Sequence, residues 1–67
     1  MEILRQIENV VLNKGNGASE GLFNLFNTET KEVSFWFDED EANTLLEMGE
    51  EEFLAEARVK FEYADMA

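Results

Sequence analysis

Residues 22–37, LFNLFNTETKEVSFWF, place two aromatic-rich runs on either side of the polar quartet Thr28, Glu29, Thr30 and Lys31. Phe and Trp suit a pleated, half-buried surface and the quartet suits a chain reversal, so the stretch reads as a β-hairpin with arms over 22–27 and 32–37. An odd-length turn puts Phe23, Leu25, Val33, Phe35 and Phe37 on one face and Leu22, Phe26 and Trp36 on the other. An even-length turn shifts the pairing by one step and groups Leu22, Phe26, Val33, Phe35 and Phe37 against Phe23, Leu25 and Trp36. In both registers Trp36 falls on the smaller apolar face.

Upstream of the hairpin, the segment 13–21 (NKGNGASEG) is rich in turn formers and reads as a loop. Before it, Ile3, Leu4, Ile7, Val10 and Val11 recur at helical spacing, with Glu2, Arg5, Gln6 and Glu8 opposite, which predicts a helix over 2–12. Downstream, Asp38 with Glu41 three residues later resembles a capping box. It predicts a helix to about Met48 that buries Ala42, Leu45 and Leu46, with Gly49 at its C′ position. From Glu50, a stripe of Phe53, Ala57, Phe61 and Ala64 predicts a further helix. Val59, Phe61 and Tyr63 also alternate with charged residues, so a third strand at 58–63 is the competing reading. The expected fold class is α+β: an N-terminal helix, an antiparallel β-hairpin and two short C-terminal acidic helices, in one compact domain over 1–67.

The chain has 67 residues, no Cys and no His, so its stability rests on packing rather than on disulfides or thiolate–imidazole zinc sites. Hydrophobic residues make up 45% of it, too many for a disordered acidic tail. No apolar run approaches the ~18–20 residues of a membrane span, and the N-terminal residues lack a basic region followed by an apolar block, so the expected location is the cytoplasm. Without His or Cys there is no imidazole shuttle, no Ser–His or Cys–His nucleophile and no thiol chemistry, and the expectation is a protein that is not an enzyme. Gly15, Gly17 and Gly21 follow a predicted helix and precede a predicted strand, the reverse of a dinucleotide-binding order, so they read as a connector. Counted from Asp38, a calcium loop would need Gly where Asn43 stands and Glu where Gly49 stands; no metal or other cofactor is expected.

Charge is the strongest signal. Sixteen acids against five bases give a net charge of −11, and nine of the nineteen residues from Asp38 to Glu56 are acidic with no base among them. Two like charges about 6 Å apart repel by roughly 0.7 kcal/mol in water, so this density opposes folding unless something offsets it. A solvated, solubilising face accounts for the segment in one reading. In the other, carboxylates on rigid helices occupy the phosphate subsites of a nucleic-acid-binding protein. In general character the charge pattern resembles that of phage-encoded DNA-mimic inhibitors of restriction, CRISPR or transcription machinery, although no motif ties it to one family. The net charge of −11 argues against direct contact with nucleic acid or anionic membranes, and the uncompensated acidic segment points to a small inhibitor or sequestering factor for a basic, nucleic-acid-binding protein. Its contact charges would be Asp38, Glu39, Asp40, Glu41, Glu47, Glu50, Glu51 and Glu52. The alternative is a non-catalytic structural or accessory subunit that docks or forms a homodimer through the aromatic hairpin face of Trp36, Phe26 and Leu22. For Trp36 itself the ordinary expectation is burial beneath a helix packed over that face.

Overall fold

In the computed structural model, which describes residues 2–66, the first half of the chain is an antiparallel meander. Strands β1 (Glu2–Ile7), β2 (Val10–Lys14) and β3 (Phe23–Asn27) form one sheet in the order β1-β2-β3. The helix expected over 2–12 is therefore a β-hairpin. Four of its five apolar residues, Ile3, Ile7, Val10 and Val11, are β-branched, which disfavours a helix and suits a strand. Ile7 pairs with Val10 around a two-residue connection, in which Glu8 takes the positive φ of 53° that tight hairpin turns require. A bulge between Ile3 and Arg5 shifts the register, so Ile3 lies beside Asn13 and Arg5 beside Leu12. Asn13 and Lys14, expected in the loop, belong to β2.

The predicted hairpin around residues 28–31 exists, but its second arm is irregular: residues 33–37 lie along β3 through bridges at Phe26–Val33 and Phe23–Phe37. Between those bridges β3 advances three residues and the second arm four, so neither regular register holds. Ser34 sits at the irregularity, its N–H donating to the Leu25 carbonyl at 3.0 Å and its Oγ accepting from the Leu25 N–H at 2.9 Å. The hydroxyl replaces a ladder carbonyl, and the extra residue lets Phe37 join the core side while Val33 joins Phe26 on the other face.

Two helices follow, α1 (Glu39–Glu47) and α2 (Glu50–Met66). Asp38 caps α1 as expected, its carboxylate accepting from the Glu41 N–H at 3.0 Å. Helix α1 ends through Met48, whose extended backbone (φ −70°, ψ 149°) turns the chain; Gly49 does not take the left-handed C′ conformation expected of it. Residues 58–63 are helical, which removes the third-strand alternative. The i, i+4 stripe decides this: Phe53, Ala57 and Phe61 are buried, whereas Val59 and Tyr63, which a strand would have needed to cover, are exposed.

Both helices pack on the same face of the sheet. Phe53, Ala57, Phe61, Ala42 and Leu45 meet Val10, Leu12, Phe23 and Leu25 in one cluster. Leu12, Leu25, Leu45 and Phe53 are fully buried, each contributing about 1.5–3 kcal/mol of transfer free energy. Leu46, expected inside, is 39% exposed at the edge of α1. Arg5 fastens β1 to this layer: its Nη1 donates to the Leu45 carbonyl at 2.7 Å, and its guanidinium carbon lies 4.8 Å from the centre of the Phe53 ring. Among the described residues no helix is long and apolar enough to cross a membrane.

Candidate functional site

The fold divides the predicted contact acids into two groups. Asp38, Glu39, Asp40 and Glu41 cap and open α1, whereas Glu47 closes α1 and Glu50, Glu51 and Glu52 open α2. At about 1.5 Å of rise per residue, the nine residues of α1 hold the two groups roughly 14 Å apart. Acids in a first turn face unsatisfied N–H groups and the positive end of the helix dipole, which explains why a chain with this much charge folds helically there. Glu41 is half-buried and the other seven are exposed.

The segment is less uncompensated than its sequence implies. Lys60, one turn beyond Glu56 on α2, places its Nζ 3.5 Å from Glu41 and 3.9 Å from Glu56, and 5.0 Å from the centre of the Phe37 ring. It pins the start of α1 to the middle of α2. Asp38 is engaged as the cap. Glu39, Asp40, Glu47, Glu50, Glu51 and Glu52 form no ion pair among the described residues and present free carboxylates to solvent.

The opposite face of the molecule has a different chemistry. With both helices on the inner side of the sheet, the outer side is covered only in part: Val11 and Asn13 are buried there, but the expected burial of Trp36 beneath a helix does not occur, and it is 48% exposed. The bulged register brings Trp36 beside Phe26 and Val33, and these side chains border a groove of about 460 Å³ whose far wall is the 15–19 segment. Gly15 is required there: a Cβ would lie 2.5 Å from the Ser19 carbonyl oxygen and 3.0 Å from Cζ3 of Trp36. Leu22, grouped with Trp36 and Phe26 in the sequence, is exposed but does not line the groove. Asn13 does line it, is only 4% exposed, and its Oδ1 has no hydrogen-bond partner. A buried acceptor left unpaired costs about 1–3 kcal/mol, so this atom is an anomaly in an otherwise satisfied sheet.

Asn13, Ile3 and Val11 escaped the sequence reading because they fell in the supposed helix and loop; the run Val10, Val11, Leu12, Asn13 carried the signal, a polar residue closing a β-branched stretch. A third exposed feature lies at the edge of the molecule, where Phe35 meets Tyr63 edge-on at 5.7 Å. Among the described residues no group of three or more acids comes together to hold a metal ion. The chain matches no protein-family model, and no curated protein and no solved structure shows significant similarity to it.

Proposed function

We propose that the protein is a small, non-catalytic binding module that inhibits or sequesters a basic, nucleic-acid-binding protein by presenting a phosphate-like array of carboxylates. The observation that carries this reading is the pair of acidic groups on the helical layer, about 14 Å apart along α1 and standing on rigid first turns. That spacing is comparable to the ~12 Å width of the major groove that separates phosphate rows in B-form DNA. Glu39, Asp40, Glu47, Glu50, Glu51 and Glu52 are the primary contacts; Asp38 and Glu41 hold the helix in place. A net charge of −11 draws in a cationic groove and repels nucleic acid and anionic membranes.

The test begins with capture of partners from host lysate at low and high salt. The recovered protein is then titrated against wild type and against a variant carrying Glu39→Gln, Asp40→Asn, Glu50→Gln and Glu51→Gln. Electrostatic mimicry requires a partner that releases this protein when nucleic acid is added. It also requires weaker binding by the variant and a shallower dependence of affinity on salt. Unchanged affinity and salt slope in the variant would leave the acidic surface with solubility alone.

A further inference from the structure

We infer that the outer face of the sheet is the seam of a two-fold homodimer, with Trp36, Phe26, Val33 and Ile3 forming its apolar surface. The inference stands independently of the basic-partner reading.

Four observations select a second copy as the occupant. First, the outer face is poor in charge: strand pairing sets Ile3, Asn13 and Asn24 in one row and Gln6, Val11, Phe26 and Val33 in the next, with Lys14 as the charged residue at the groove's wall. Second, Ile3, Val33 and Trp36 are each about half exposed. Val33 and Trp36 line one groove with Phe26, an apolar surface of the kind that marks an interface. Third, two copies each carrying −11 can approach closely only where neither presents carboxylates. Joined through their sheets, which pack about 10 Å apart, they hold their acidic helical layers on opposite outer sides, more than about 20 Å from each other. Salt screens charges over ~8 Å, so repulsion between those layers is small, whereas a contact through the first turns of α1 and α2 sets acid against acid. Fourth, the molecule's longer extents of 29 and 27 Å are on the scale of the ~800 Å² per partner that a stable interface buries.

A two-fold contact is self-complementary, so Trp36, at the groove's rim, is the knob for the other copy's groove.

Sedimentation velocity on the full chain tests this, comparing wild type with Val33→Glu and Trp36→Glu, and with Leu46→Glu on the helical side as a control. The expected result is a wild-type particle of twice the 7.7 kDa chain mass. Its dissociation constant should rise on the order of 100-fold or more in Val33→Glu and Trp36→Glu and stay unchanged in Leu46→Glu. Val33 and Trp36 are exposed in the single chain, so circular dichroism should show both variants folded. Dilution of wild type should also shift Trp36 fluorescence to the red as the seam opens. A wild type that is monomeric at every loading concentration overturns the proposal. So does a dimer that survives Val33→Glu and Trp36→Glu. In either case the salt-dependent capture of a basic partner is untouched, so the two readings fail separately.

Discussion

Arg5→Met isolates a single guanidinium while retaining much of the aliphatic stem that packs on the core. In the native fold Arg5 Nη1 lies 2.7 Å from the Leu45 carbonyl and 3.4 Å from that of Leu46, at the end of α1, where carbonyls lack helical partners. A charged hydrogen bond of this kind contributes about 1.5–3 kcal/mol. The same group stands 4.8 Å from the centre of the Phe53 ring, worth another ~0.5–1 kcal/mol at a partly exposed site. These contributions overlap, so the expected loss is about 2–3 kcal/mol. For a chain of this length that lowers the melting temperature by roughly 10–20 °C. The assay is urea denaturation followed by circular dichroism, at low salt and at ~1 M salt, where the Debye length falls to ~3 Å. Because the partners are carbonyls and a ring rather than carboxylates, most of the loss should persist at high salt. A loss below about 0.5 kcal/mol, or one that disappears in ~1 M salt, would show that Arg5 acts only by diluting the net negative charge.

Two further substitutions probe local devices. Asp38→Ala removes the acceptor for the Glu41 N–H and should cost about 1 kcal/mol in urea denaturation, a loss that Asp38→Ser largely restores. Gly15→Ala forces a Cβ to within 2.7 Å of the Ser19 Cβ and 3.0 Å of Trp36; it should cost about 1–3 kcal/mol and change the Trp36 emission spectrum, and an unchanged spectrum would mean that the 15–19 wall does not set the indole's position.

The C-terminal half was legible because its signals are local. The Asp38 cap and the Phe53, Ala57, Phe61 stripe each lie within a few turns of one helix, so spacing alone locates them. The N-terminal half carried the same spacing for a different reason. Ile3 and Ile7 are four apart and Ile7 and Val10 three apart, as on a helix, but the bulge after Ile3 and the two-residue turn at Glu8 and Asn9 generate those intervals in a hairpin. Arg5 on the inner face broke the alternation further, since its charge is satisfied only by carbonyls forty residues away in sequence. Around the site, Trp36 and Phe26 were found together, but Leu22 was misplaced and Asn13 missed. Asn13 fell in the supposed loop, and the faces of the hairpin's second arm are set by an irregularity at Ser34 that depends on one side-chain hydroxyl replacing a ladder carbonyl.

The distribution of the five bases links the fold to the function proposed for it. Arg5 is engaged at the end of α1 and over Phe53, and Lys60 between Glu41 and Glu56 and over Phe37, so two of the few cations fasten the helical layer from within. Neither reaches the outermost acids. The repulsion among Glu39, Asp40 and the 50–52 triplet therefore stays in the folded state, at several tenths of a kcal/mol per neighbouring pair before screening. A cationic partner that settles between these groups removes that repulsion as it forms its own attractive contacts, so both terms favour the complex and the bound protein is more stable than the free one. A surface neutralised by intramolecular ion pairs would gain only the difference between two sets of contacts. The arrangement that weakens the isolated chain is thus the one that gives most to association, and it requires that Arg5 and Lys60 be spent on the inner contacts of the helical layer rather than on its outermost acids.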